Sequence, residues 1–167
     1  MYLLLTTHPQ FSVMKILKTT FLLLAVIFMC GLSSAQTVKD TLAIKETSLN
    51  YIEGYFYKDA SRMEKALHPE LVKRSIQKAK DGTEFIINLS ASYMIMRAGT
   101  NTNRHAANPD GPIESKVEIY DVVGNAATVK VSTNQYNFVD YLHIGKFKGE
   151  WKIVNAFWAY KPKLEEK

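Results

Sequence analysis

Asp140 is the residue whose setting most invites chemistry. It alternates onto one strand face with Leu142 and Ile144, while Tyr141, His143 and Phe147 take the other. With the Leu142 face turned inward, its carboxylate meets an apolar wall. Burial then raises its pKa and makes it a usable base or hydrogen-bond partner in a pocket. Tyr51, Tyr55 and Tyr93 are the candidate electrophilic donors for such a site. His68, at a helix end before Pro69, is the other candidate base, since imidazole titrates near neutral pH. Each has a structural role open to it as well. Asp140 can bond backbone or pair with His68 to lock a helix–strand junction, and His68 can cap the carbonyls of the helix before it.

Other chemistries find no support. His68, His105 and His143 share no metal-ligand spacing, and the one cysteine, Cys30, lies far from them, so no metal site is expected. There is no Gly-x-Ser-x-Gly nucleophile motif and no phosphate-cradling glycine loop, and no cofactor is expected. Tyr93, Met94 and Met96 recur at helical spacing and can line a hydrophobic pocket or simply fill a core. Trp158 and Tyr160 can stack on a flat ligand or fill a dimer contact.

The elements that must position these residues follow from periodicity. Val38, Leu42, Leu49, Ile52 and Phe56 form one stripe of a first helix, with Ile44, Tyr51 and Tyr55 beside it and Thr37 as its cap. Ser61-Arg62-Met63-Glu64 has capping-box form and opens a short second helix through Leu67, ended by His68-Pro69. Leu71–Ala79 and Thr83–Ile87, joined at Asp81-Gly82, read as a hairpin, with a helix from Thr83 onward as the competing reading. Asn88 or Ser90 caps a third helix that presents Leu89, Tyr93 and Met96 on one face and stops at Gly99. The polar stretch from Thr100 to Pro112 is a long loop.

Four strands close the chain: Lys116–Val123, Ala126–Thr133, Tyr136–Phe147 and Trp151–Tyr160. Val117, Ile119 and Val123 share a face, as do Trp151, Ile153, Asn155 and Phe157. Helices first and long antiparallel strands afterwards is the order of an α+β domain, with the helices packed on a strongly curved, mostly antiparallel sheet. Both sheet faces carry large apolar groups, so one should cover the helices and the other should meet a second copy.

The first 35 of 167 residues read as a targeting segment. Lys15 and Lys18 flank an apolar run from Phe21 to Cys30, and Ser33 and Ala35 suit a cleavage site before Gln36, with Met14 as the expected start. An uncleaved anchor and a lipidated Cys30 are the competing readings. The remainder, 36–167, is the size of one domain and needs no disulfide to fold. The chain is therefore expected to be exported, to a periplasm or beyond, and free of the membrane after cleavage. Its net charge of +5 is spread over both signs with no basic run, which argues against nucleic acid as a partner.

Tyr51-Ile52-Glu53-Gly54 with Asp59, Ala66-Leu67-His68-Pro69-Glu70, Val123-Gly124-Asn125-Ala126-Ala127, Asp140-Tyr141-Leu142 and Gly149-Glu150-Trp151-Lys152-Ile153-Val154-Asn155 together carry a resemblance. The chain resembles the nuclear transport factor 2-like superfamily, which includes ketosteroid isomerase and SnoaL-like cyclases. Within it, the chain is most similar to small secreted bacterial proteins labelled "putative lumazine-binding". That resemblance implies a cone-like fold around a pocket, and a homodimer. The fold hosts enzymes and non-enzymes alike, so function has to come from the site. Three functions are compatible with the residues. One is a binding module for a small apolar or aromatic molecule, with Tyr51, Tyr55, His68, Tyr93, Met96, Asp140 and Trp158 as pocket candidates. Another is a homodimeric interaction protein with a vestigial pocket. The last is an isomerase or dehydratase with Asp140 or His68 as base.

Overall fold

A computed structural model describes residues 38–162 apart from Arg104. The expected leader, its cleavage site and the Thr37 cap lie outside the described residues. Three helices pack on one face of a six-stranded sheet. The first helix, α1, runs over residues 38–56, and α2 follows at Ala60–Ala66. Strands β1 (Leu67–Lys78) and β2 (Glu84–Ser90) come next, then α3 (Ala91–Gly99). The chain closes with β3 (Ser115–Val123), β4 (Ala126–Thr133), β5 (Phe138–Phe147) and β6 (Glu150–Tyr160). The strand order is β2-β1-β6-β5-β4-β3. Only β1 and β6 pair in parallel; the four other neighbouring pairs are antiparallel.

The helix α1 buries Ile44, Tyr51, Ile52 and Phe56, but Val38 and Leu42 are exposed. The expected stripe is therefore rotated: Ile44, Thr47, Ser48 and Tyr51 face the sheet. Thr47 Oγ1 donates to the Trp151 carbonyl at 3.0 Å, and Ser48 Oγ donates back to the Ile44 carbonyl at 2.8 Å. Short hydroxyl side chains can sit at a helix–sheet contact because the backbone supplies their partners.

Asp59, not Ser61, caps α2, accepting from the Arg62 amide at 3.0 Å. Arg62 then reaches back to α1, donating to Asn50 Oδ1 at 3.0 Å and to Glu53 at 2.9 Å. Gly54 permits this close approach. A Cβ there would stand 3.1 Å from the Arg62 Cβ and 3.2 Å from the Asp59 carbonyl oxygen. The chain passes directly from α2 into β1, so His68 and Pro69 belong to a strand.

The β1–β2 hairpin forms as expected, and the helical alternative for Thr83 onward does not. Ser90 is the cap of α3, its Oγ accepting from the Tyr93 amide. That helix buries Ala91, Met94 and Ala98 and exposes Tyr93 and Met96, so the face predicted for the core is turned by about a quarter-turn. Lys148 and Gly149 both take positive φ, +50° and +91°, as a tight turn matched to strand twist requires.

Two β-bulges reverse expected faces. In β6 the register shifts between the Ile144–Ile153 and His143–Asn155 pairs, which leaves Val154 as an extra residue. Trp151 and Ile153 then share the inner face with Ala156 and Trp158, while Asn155 and Phe157 turn outward. In β3 the shift between Ile119 and Asp121 makes Tyr120 the extra residue. Val122 packs on the core and Val123 is exposed, the reverse of simple alternation.

Candidate functional site

The inner face of β1 reads Leu71, Lys73, Ser75, and all three are buried. The lysine is the unexpected member. Its Nζ lies 2.7 Å from Asp140 Oδ1 and donates to the Tyr51 hydroxyl at 2.5 Å. The side chain of Asp140 is fully enclosed and that of Lys73 nearly so. Strand geometry sets up the pair: Lys73 lies opposite Ala156 on β6, and Asp140 lies opposite Trp158 on β6 from the other side. The small Ala156 leaves the gap across which the lysine reaches the carboxylate.

Aromatic rings surround the ammonium. It stands 5.2 Å from the Tyr51 centroid, 5.4 Å from Phe138 and 5.8 Å from Trp158. Desolvated cations gain from such faces. Burial, and next the charge of Asp140, hold the Tyr51 hydroxyl well above its ordinary pKa, so it is a neutral phenol at physiological pH. Two polar atoms here lack a partner although buried: Asp140 Oδ2 and the indole Nε1 of Trp158.

Of these groups Tyr51, Lys73, Phe138 and Trp158 line a cavity of about 390 Å³. Tyr51, Ile52 and Tyr55 come from α1, and Tyr93, Met94 and Arg97 from α3. Lys73 is the contribution of β1, while β5 and the residues before it give Tyr136, Asn137 and Phe138. The last residues of β6, Trp158 and Tyr160, complete the aromatic wall. The volume is at the lower end of the range for small-molecule sites.

An asparagine clasp holds one side of the cavity. Asn101 Nδ2 donates to the Tyr55 carbonyl at 2.7 Å, and Asn103 Nδ2 donates to the Phe56 carbonyl at 2.8 Å. These satisfy the terminal carbonyls of α1, which no intrahelical amide can reach. The Tyr136 hydroxyl donates to Asn103 Oδ1 at 2.9 Å, tying the loop after α3 to the sheet. Burial pushes the Tyr136 phenol up to about 12.

Of the residues singled out from sequence, Tyr51, Tyr55, Tyr93, Met94, Trp158 and Tyr160 line the cavity. Asp140 stands behind Lys73 and does not line it. Its partner is Lys73 and not His68, so the expected His68 lock does not form. His68 stacks on Phe147 with centroids 4.4 Å apart, and its Nδ1 accepts from the Glu70 amide. Neither it nor the exposed Met96 reaches the cavity. His105, expected in a solvated loop, lines the cavity, and His143 is exposed beside Asn155. Sequence reasoning missed Lys73, Arg97 and the two asparagines. The signal for Lys73 was its parity with Leu71 and Ser75 in a strand.

Among the described residues no cluster of His, Cys, Asp or Glu could hold a metal ion. No described helix is long and apolar enough to cross a membrane.

Solved structures share this architecture. An NTF2-like protein of unknown function from Shewanella baltica superimposes with a TM-score of 0.57 at 21% identity, covering 75% of this chain and 97% of that one. One from Silicibacter pomeroyi gives 0.59 at 15% identity, over 75% and 98%. A ketosteroid isomerase-like protein from Erwinia carotovora gives 0.50 at 7% identity, over 73% and 96%. At such identities the likeness is one of fold. Comparison with curated proteins finds no match. The α+β architecture is that of the nuclear transport factor 2-like superfamily, and the family model described as "Putative lumazine-binding" matches residues 39–159, nearly all of the described chain, so the protein belongs to that family.

Proposed function

We propose that this chain is an exported binding module that holds a small, flat, largely aromatic molecule in the Lys73 cavity. One observation carries the reading: seven aromatic side chains and a buried lysine converge on one cavity of about 390 Å³. Rings supply stacking area, and a few placed polar groups fix orientation. Lys73 and the partnerless Trp158 Nε1 are the donors best placed to do so. The family description names lumazine, a flat bicyclic heterocycle rich in hydrogen-bond acceptors, and such a molecule suits these donors.

Asp140 serves as the counter-ion of Lys73 in this reading, rather than as a base. Its Oδ1 is engaged, and among the described residues no carboxylate lines the cavity. An isomerase or dehydratase of the kind expected from Asp140 or His68 would need one of them at the ligand. The leader-like segment before residue 36 supports export. The outer sheet face exposes Tyr141, Phe147 and Phe157, and supports pairing with a second copy. Sedimentation at micromolar concentration should return a dimer mass, and a monomer would remove that element.

Native mass spectrometry of freshly purified protein tests the binding reading. A small molecule retained at one per chain is expected. An empty protein whose melting temperature no pterin-like or aromatic compound shifts would overturn it.

A further inference from the structure

Among the described residues the charged side chains on the cavity wall are Lys73 and Arg97, and none is acidic. Lys73 is neutralised by Asp140 behind it. Arg97 is not. It sits half-buried in the last turn of α3, and its guanidinium has no hydrogen bond or ion pair with any described residue. The other half-buried arginines are engaged: Arg62 by Glu53 and Asn50, Arg74 by Asn155 and Asn88. A partly desolvated guanidinium with open donors on the wall of an aromatic-lined cavity is an anion-reading group. Its planar fork matches a carboxylate in a bidentate arrangement, and the surrounding rings thin the water that would screen the contact.

We infer that the cavity selects aromatic anions, with Arg97 as the residue that binds the ligand's carboxylate while the rings of Tyr93, Tyr136, Phe138 and Trp158 take its aromatic body. This rests on the binding reading above and names the ligand class of the same site. The ionic group anchors at the α3 side. The aromatic body runs toward Lys73 and the rings around its ammonium. A neutral molecule of the same shape forfeits the guanidinium contact and is discriminated against on that account.

The test uses matched probes, 2-naphthoate and its neutral isostere 2-naphthamide, titrated calorimetrically into wild type, Arg97→Met and Arg97→Lys. Arg97 is half-exposed, so both variants should fold, and thermal melts check this. Wild type should prefer the naphthoate by about tenfold, the scale of one charge-assisted contact. Arg97→Met should abolish that preference by weakening naphthoate alone, and Arg97→Lys should restore part of it. Equal affinity for the two probes in wild type would overturn the anionic class and leave the binding reading standing. A preference that survives Arg97→Met would overturn the assignment to Arg97. Failure of both probes to bind at millimolar concentration would overturn the binding reading, and this inference with it.

Discussion

The two ends of the inner face of β5 are built on opposite principles. Around Ile144 and Leu142 the neighbours on β4 and β6 are Ala127, Val129, Ile153 and Ala156, and Ile44, Met63 and Ala66 are buried in the same core. Two residues further on, around Asp140, the neighbours are Val131 and Trp158, and a buried lysine bridges the carboxylate and the Tyr51 hydroxyl. The first end is plain core. The second encloses an ion pair, and ion pairs in such places are a poor way to gain stability, because desolvation of both charges offsets their attraction. A fold seeking stability alone would have continued the apolar pattern. The difference teaches that the second end is not built for stability, and the proposed ligand gives it a reason.

Breaking one partner of the pair should have the largest effect. Lys73→Met leaves Asp140 buried without a counter-charge and should lower unfolding free energy by about 3–5 kcal/mol in denaturant titration. A loss below about 1 kcal/mol would show the pair to be solvated. The apolar end should respond differently. Leu142→Ala should cost about 2–5 kcal/mol by opening a cavity, with ligand affinity unchanged. A large affinity change there would erase the distinction between the ends.

A smaller effect concerns alkaline pH. The Tyr136 phenol titrates at about 12 when folded against an ordinary 10.0. Above pH 10 the unfolded chain loses this proton while the folded one keeps it, so stability falls as pH rises from about 10 to about 12. Tyr51, also raised, adds to the loss. Tyr136→Phe should flatten the decline in that window, and an unchanged slope would show that the clasp around Asn103 opens readily.

Most of the sheet was legible because alternation is a local signal. The bounds of β4 agree with expectation, and Asp140, Leu142 and Ile144 do turn inward together. Faces failed where a bulge inserted a residue, at Tyr120 and Val154, since nothing local announces the extra residue. Helix faces failed where short polar residues replaced apolar ones against the sheet, as at Thr47 and Ser48. The site was half legible. The tyrosines and Asp140 were visible by type and parity. Lys73 was not, because the partner that permits its burial lies 67 residues away in sequence, on a strand that is not even its neighbour. Asn101 and Asn103 resembled ordinary loop residues until the terminal carbonyls of α1 were seen to depend on them.

The most direct test of a ligand-shaped second end is the double variant Lys73→Met/Asp140→Leu, compared with wild type for stability and for the small molecule it retains after purification. Replacing both charges together removes the buried ion pair without stranding either member, so the double variant should be as stable as wild type or more so. Native mass spectra should show ligand on wild type and none on the double variant. A double variant that keeps the same ligand at the same occupancy would contradict the account.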